Sequence, residues 1–187
     1  MLEKKESHRP KEYYRFMSIV ISEDKINEII LRLADKIYNS NSGDIVFLGL
    51  GDNGAILANR LSSKIQKEYE KQILVGKLEV GLYKSPETND HFVTIGKSDI
   101  RFSLKNKTVI LITDQVKTGR TMIAALNALS DYSEADIVKC CCVIFRNCMR
   151  RPIYFEYIGE TVSVPENQQL SCHFYETDGE DVIKSYV

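Results

Sequence analysis

Residues 109–126 read VILITDQVKTGRTMIAAL, and this stretch contains the change of pattern that decides the fold. Apolar residues run up to a single acid at Asp114, a short loop ends in Thr-Gly-Arg-Thr, and an apolar segment with helical spacing follows. An uninterrupted apolar run is typical of a strand that is buried on both faces of a parallel sheet. The stretch therefore predicts a strand, a loop at its carboxyl end, and a helix.

The same alternation of strand and helix patterns occurs along most of the chain. Further strand patterns are DIVFLGL (44–50), ILVGKLEVGLY (73–83) and IVKCCCVIF (137–145), and helical periodicity begins near Ser22 and Gly54. Helices between parallel strands cover both faces of a sheet through right-handed crossovers. We therefore predict an α/β fold with a parallel sheet flanked by helices. A single domain is expected over residues 22–187, after an N-terminal arm at residues 1–21.

Composition and charge exclude several classes of protein. The 187 residues are 43% hydrophobic and carry a net charge of -1, which is typical of a globular protein and argues against nucleic-acid binding through overall charge. No apolar run has the length of a membrane span, and the N-terminal residues lack the apolar core of a signal peptide. We therefore expect a cytoplasmic protein with no membrane partner. Its five cysteines are expected to be free thiols.

Three of the cysteines, Cys140, Cys141 and Cys142, are consecutive on a predicted strand. Neighbouring residues of a strand point to opposite faces, so the three thiols cannot converge on one metal ion. Cysteine also packs well as a small apolar residue. The trio is therefore predicted to be buried in the core.

The loop of the opening stretch predicts a phosphate site. Backbone N–H groups at the start of a helix lack intrahelical partners, and the helix dipole favours an anion there. Gly119 allows close approach of a ligand, while the hydroxyls of Thr118 and Thr121 and the charge of Arg120 add donors. Asp114, which stands where a Walker A motif would have its first glycine, is placed to accept hydrogen bonds from sugar hydroxyls. Acid and loop together predict a ribose 5-phosphate, and a capped helix that binds nothing is the structural alternative.

A second loop, GLGDNG at residues 49–54, permits another interpretation. Its glycines match the G-x-G-x-x-G fingerprint of dinucleotide binding between a strand and a helix. That fingerprint also needs an acid about 20 residues further on, at the end of the next strand. Glu79 falls later than this, and Asp52 would repel a pyrophosphate. Dinucleotide binding is therefore a minor alternative, beside glycines that serve only the geometry of the chain.

The succession of apolar strand, acid, short loop and T-G-x-T resembles the signature of the type I phosphoribosyltransferases. The similarity is greatest to the PyrR-like group of bacterial pyrimidine-operon attenuators and uracil phosphoribosyltransferases. It extends over nearly the whole chain after Ser22: LGLGDNGAILANRL (48–61) resembles the diphosphate loop and its helix, and VIFRNCMRRPIYFEYIGETV (143–162) the base-side segment. The resemblance implies the type I phosphoribosyltransferase (Rossmann-like) fold with a short β-rich excursion, and a homo-oligomer, most simply a dimer.

The resemblance also implies ligands and roles for individual residues. Phosphoribosyl diphosphate would bind with Mg²⁺, with no metal held directly by the protein, and uracil would replace the diphosphate. The catalytic positions would be Asp114 and Gln115. The other implied contacts are the phosphate-binding residues Lys117, Thr118, Gly119, Arg120 and Thr121, the diphosphate loop Gly51, Asp52, Asn53 and Gly54, the mobile-loop residues Lys84, His91 and Lys97, and Arg146, Arg150 and Arg151 on a base or RNA side.

Three features depart from the family pattern. The family has two adjacent acids, and here the pair is interpreted as Asp114-Gln115, with a neutral amide and a loop one residue shorter before Thr118. The diphosphate loop ordinarily carries a cation, which Asp52 replaces by a repulsive charge. Two hypotheses follow: an enzyme that transfers phosphoribosyl to uracil, or a catalytically impaired regulator that senses a nucleotide such as UMP and binds RNA. The three arginines either contact RNA phosphates or form a solvated basic turn.

Overall fold

The computed structural model describes residues 17–81, 97–130 and 135–186. In chain order the elements are β1 (Met17–Ile21), α1 (Glu23–Asn39), β2 (Ile45–Leu50), α2 (Gly51–Tyr69), β3 (Leu74–Leu78), β4 (Thr108–Val116), α3 (Arg120–Ser130), β5 (Ile137–Arg146), β6 (Tyr157–Val162), β7 (Gln169–His173), α4 (Tyr175–Asp178) and β8 (Val182–Tyr186). None of the helices in these ranges has the length and apolar character that crossing a bilayer requires.

Five strands form a parallel sheet in the order β3-β2-β4-β5-β6. Alternate residues of the central strands face opposite sides. Ile110 and Ile112 of β4 pack in the cluster that contains α1 and α2, and Val109 and Leu111 pack in the cluster that contains α3. The predicted α/β fold with helices on both faces is therefore confirmed.

The three consecutive cysteines of β5 are buried free thiols, as the strand pattern predicts. Cys141 packs on the α1–α2 face, whereas Cys140 and Cys142 pack on the α3 face. Burial raises the pKa of Cys140 to about 11 and that of Cys141 to about 12, so both thiols are neutral at physiological pH. In the described ranges no group of three side chains is arranged to hold a metal ion.

A second, antiparallel sheet of order β1-β8-β7 joins the two ends of the described chain. Residues 17–21, which the sequence analysis assigns to an arm, form its edge strand β1; residues 1–16 lie outside the described ranges. Arg60 of α2 connects this small sheet to the main body. Its guanidinium lies 2.5 Å from a carboxylate oxygen of Glu176 and 2.7 Å from one of Asp181, and it stacks over Phe174 at 5.2 Å.

The GLGDNG segment is not the loop that its sequence predicts. β2 ends at Leu50 and α2 begins at Gly51, so residues 51–54 are the first turn of the helix. A Cβ on Gly49 would overlap the backbone of Gly54, and one on Gly54 would lie 2.5 Å from the carbonyl oxygen of Ile112. These two glycines allow α2 to pack closely on β2 and β4, which accounts for them without a dinucleotide.

Candidate functional site

A cleft of about 970 Å³ opens at the carboxyl ends of the parallel strands. Its walls come from the ends of β2 and β3, the segment from Thr113 to Ala124, the end of β5 with the following loop, and the segment from Glu166 to Leu170. Ligands of open α/β sheets bind at this edge, because the strand-to-helix connections gather there. The cleft is therefore the candidate site.

All five predicted phosphate-binding residues, 117–121, line this cleft. Gly119 is buried with φ of 83°, a left-handed conformation that glycine adopts without strain. Its carbonyl accepts the N–H of Ile123 at 3.1 Å, which places it at the first turn of α3. Thr118 and Thr121 are half-buried. The segment 117–121, the cup, therefore brings backbone amides and two hydroxyls together at a helix N-terminus, and phosphate binding there stays a prediction.

The loop after β5 supports the cup from behind. Arg150 donates its backbone N–H to the carbonyl of Thr118 at 3.4 Å, and the Cys148 thiol lies 3.4 Å from the carbonyl of Lys117. A Cβ on Gly119 would lie 3.1 Å from side-chain atoms of Met149 and Ile153. The shape of the cup therefore depends on a segment about 30 residues away, which no local motif identifies.

Asp114 is fixed at the floor of the cleft by its neighbours. Its Oδ2 accepts a hydrogen bond from Asn53 Nδ2 at 2.9 Å, and its Oδ1 accepts the backbone N–H of Gln115 at 2.7 Å. The hydroxyl of Thr113 lies 3.3 Å from the same Oδ1. Asn53, assigned by resemblance to a diphosphate loop, thus contacts the acid and also donates to the carbonyl of Cys172 at 3.3 Å.

The side-chain amide of Gln115 has a structural role. Its Nε2 donates to the carbonyl oxygen of Leu170 on β7 at 3.0 Å and so connects the two sheets. A carboxylate at this position would face that carbonyl without a proton to donate. Asp114 therefore lies between two neutral residues, Thr113 and Gln115.

The first turn of α2 carries an ion pair that the sequence does not predict. Lys77 Nζ of β3 lies 2.5 Å from Asp52 Oδ1 and 3.7 Å from Glu79 Oε2. The hydrogen bond to Asp52 is the main cause that raises the pKa of Lys77, so the ammonium stays charged. Asp52 is therefore paired with a cation, and the expected repulsion between Asp52 and a diphosphate stays a prediction. Lys77 lies on β3 and Glu79 directly follows that strand, but nothing in the sequence pairs Lys77 with Asp52, which lies 25 residues earlier in the first turn of a helix.

The three arginines assigned to a base or RNA side do not form one exposed cluster. Arg146 is only 2% exposed, and it donates to the carbonyls of Pro165 at 3.0 Å and Gln168 at 3.1 Å. Arg150 is exposed and paired with Glu166 at 2.6 Å, and Arg151 is half-buried beside the cup. The interpretation of Arg146 as part of a solvated or RNA-facing turn is therefore wrong, because its guanidinium holds the turn before β7.

The mobile-loop residues Lys84 and His91 lie outside the described ranges. Lys97 is described and exposed. Two residues after it, Asp99 forms a backbone bridge with Lys77, with both N–H to carbonyl distances at 2.9 Å. Lys97 is not among the described residues that line the cleft.

The five-stranded parallel sheet flanked by helices is the fold of the type I phosphoribosyltransferases. The phosphoribosyl transferase domain family matches residues 18–172, and the chain belongs to this family. Over 165 residues it is 30% identical to the bifunctional protein PyrR of Pelotomaculum thermopropionicum, with 87% of this chain and 91% of that protein covered. The identity to the bifunctional protein PyrR of Desulfosudis oleivorans is 33% over 168 residues, with 88% and 93% covered.

Solved structures confirm the fold at lower sequence identity. A hypoxanthine phosphoribosyltransferase from Staphylococcus aureus superposes with a TM-score of 0.66 at 18% identity and covers 91% of this chain and 92% of that one. A hypoxanthine-guanine phosphoribosyltransferase from Bacillus anthracis gives 0.68 at 18% identity, with 92% and 99% covered. At these identities the likeness concerns the fold alone.

Proposed function

We propose that the cleft binds the ribose 5-phosphate part of a nucleotide, with the phosphate in the cup and the ribose hydroxyls against Asp114. The observation that carries the proposal is that the cup and Asp114 line one cleft at the end of the same strand. Backbone amides at a helix N-terminus bind a phosphate without needing a cation, and a carboxylate accepts from sugar hydroxyls. Both halves of the ligand thus have partners of the right chemistry.

A pyrimidine nucleotide such as UMP is the ligand that the proposal favours. Membership of the family and the similarity to PyrR proteins support a nucleotide, and the resemblance to pyrimidine-operon attenuators supports the pyrimidine. The same resemblance supports a cytoplasmic homodimer with RNA as a partner. Among the three arginines considered for RNA, Arg150 is the exposed one, although it is paired with Glu166.

Transfer of phosphoribosyl to uracil is the second candidate function, and family membership favours it. In that reaction a uracil nitrogen forms a bond to C1 of the ribose and loses its proton to water, while the C1–O bond to diphosphate breaks and the electron pair leaves with the diphosphate. Mg²⁺ prefers carboxylate and phosphate oxygens. Since the described residues offer Asp114 but no group of three ligands, the ion would be held mainly by the diphosphate that brings it.

We infer that Thr113, and not Gln115, stands where the family has the first of its two acids. Thr113 and Asp114 are adjacent at the cleft, and Gln115 is committed to Leu170. If Asp114 is the second acid, residues 115–117 form the loop before Thr118. This loop is one residue longer than the loop that follows Gln115, so the shortening inferred for the Asp114-Gln115 pair disappears. Either pairing leaves one carboxylate, so the chemistry supports nucleotide binding better than rapid transfer.

The proposal is tested by calorimetric titration with UMP, with uridine, and with phosphoribosyl diphosphate plus Mg²⁺, followed by an assay of uracil consumption. We expect UMP to bind and uridine to bind at least about tenfold more weakly, because the phosphate contributes charge-assisted hydrogen bonds. T118V should weaken UMP but not uridine, whereas T161V, at an exposed position of β6, should change neither. Equal affinity for UMP and uridine would contradict the proposal, and rapid consumption of uracil would favour the enzyme.

A further inference from the structure

The parts of the candidate site follow one another along the carboxyl edge of the sheet, in the order of the strands. The cup and Asp114 follow β4, the first turn of α2 follows the neighbouring strand β2, and Lys77 lies on β3 at the edge. Neighbouring strands are about 4.8 Å apart, so β3 lies about 10 Å from β4. A group attached to the ribose on the side away from the cup would therefore extend toward Asp52 and Lys77.

The two charged side chains at that end differ in exposure. The backbone of Lys77 makes two hydrogen bonds to Asp99 and its side chain is 27% exposed, whereas the side chain of Asp52 is 79% exposed. Asp52 can therefore turn into solvent at little cost. Neither Asp52 nor Lys77 is among the described residues that line the cleft, but Lys77 Nζ lies 3.7 Å from Oε2 of Glu79, which does line it. An ammonium has three donors, so it can exchange one carboxylate for phosphate oxygens without losing a hydrogen bond.

We propose that Lys77 is the cation that binds the diphosphate of a phosphoribosyl diphosphate-type ligand in this protein, and that Asp52 competes with the diphosphate for it. The proposal rests on the proposed function, because it assigns the other end of the same cleft. The first turn of α2, GDNG, contains no cation, and Lys77 supplies one from the neighbouring strand. Asp52 thereby sets the preference of the cleft between ligands with a monophosphate and ligands that also carry a diphosphate.

The consequence is a specificity that single substitutions alter in opposite directions. Loss of the Asp52 charge removes both a repulsion and a competitor, and should strengthen diphosphate binding. Loss of the Lys77 charge leaves Asp52 and Glu79 unopposed, and should weaken it. Neither change should affect UMP, whose single phosphate lies in the cup.

The test compares D52N and K77M with the unchanged protein in titrations of inorganic pyrophosphate, phosphoribosyl diphosphate with Mg²⁺, and UMP. We expect D52N to tighten the two diphosphate ligands about tenfold and K77M to weaken them about tenfold, as expected for one partly screened charge. Asp44 and Lys107 lie 3.6 Å apart at the amino ends of β2 and β4, away from the cleft. They provide the matched control variants D44N and K107M, which should leave the affinity for all three ligands unchanged.

Two results would overturn the proposal. D52N keeps the fold because its side chain is exposed, so unchanged or weaker diphosphate binding by D52N would show that Asp52 does not compete for Lys77. A parallel change in UMP affinity in D52N or K77M would show that the pair affects the whole cleft. Failure of UMP to bind, with pyrophosphate still responding to D52N and K77M, would instead remove the proposed nucleotide function and leave the role of Lys77 intact.

Discussion

Single residues in and beside the cleft make contacts that the sequence alone does not show. Asn53 reaches Asp114, Gln115 reaches Leu170, and Lys77 reaches Asp52, and each pair joins positions far apart in the chain. The residue types at the cup are predictable, because amides, hydroxyls and a glycine suffice for a phosphate. The partners of the polar side chains are not, because tertiary packing decides which acceptor each donor meets.

Replacing Gln115 by glutamate tests the contact between the two sheets. At pH 7 the carboxylate of Q115E would face the carbonyl of Leu170, and we expect a loss of about 1–2 kcal/mol in the free energy of unfolding. The loss should shrink as the pH falls toward 4, because a protonated carboxyl can donate to the carbonyl. Urea unfolding at both pH values measures the difference, with Q72E at an exposed position as control. Equal stability of Q115E and Q72E at pH 7 would contradict this role.

Replacing Gly119 by alanine tests the geometry of the cup. The residue has φ of 83°, and a Cβ would lie 3.1 Å from Ile153 and Met149, so we expect G119A to lose about 1–2 kcal/mol of stability and to bind UMP more weakly. Gly43 has no atom within 4 Å of its Cβ position, and G43A should stay within about 0.5 kcal/mol of the unchanged protein. Thermal unfolding with and without UMP gives both quantities. If G119A and G43A behave alike, the backbone at Gly119 is not as described.

At the scale of elements, the small sheet is attached to α2 through a charged contact that depends on pH. Hydrogen bonds from Arg60 lower the pKa of Glu176. Burial by itself would raise the pKa of Asp181, but hydrogen bonds from Arg60 and from the backbone of Tyr175 lower it overall. Carboxyl groups with a lowered pKa stabilise the folded state above their ordinary pKa, and this contribution disappears as the pH falls through the folded value.

We therefore expect the contact between α2 and the small sheet to weaken as the pH falls below about 4. Hydrogen exchange of the β7 and β8 amides should accelerate there, after correction for the intrinsic rate, before the exchange of β4. In R60M the carboxyl groups lose their partner, so β7 and β8 should already be less protected at pH 7 and should change less on acidification. Uniform loss of protection in both sheets of the unchanged protein would contradict a local effect.

The burial of the cysteines predicts which thiols react in the folded protein. Cys140, Cys141, Cys142 and Cys172 are buried, and only Cys148 is partly exposed, so one of the five thiols should react promptly with a disulfide reagent such as DTNB. The other four should react only after unfolding in denaturant. C148S should remove the prompt reaction and keep the slow one. Prompt reaction of two or more thiols in the folded protein would contradict the burial of β5.

At the scale of the whole molecule, the parallel sheet could be predicted because its central strands β2, β4 and β5 contain long apolar runs and the helices between strands have helical apolar spacing. The antiparallel sheet could not, because β1 pairs with β8 and the two strands lie at opposite ends of the chain. The burial of Arg146 could not be predicted from the sequence either, because RNCMRRP has the composition of a surface turn. The acceptors of Arg146, the carbonyls of Pro165 and Gln168, lie about 20 residues further along the chain. Contacts of this kind depend on topology and not on local pattern.

The central claim concerns the whole cleft: the cup and Asp114 together bind a ribose 5-phosphate. The most direct measurement is a calorimetric titration of the unchanged protein with UMP and with uridine, repeated with T118V. The account predicts that UMP binds, that uridine binds at least about tenfold more weakly, and that T118V reduces the affinity for UMP alone. Binding of uridine as tight as that of UMP, or UMP affinity unchanged by T118V, would contradict it.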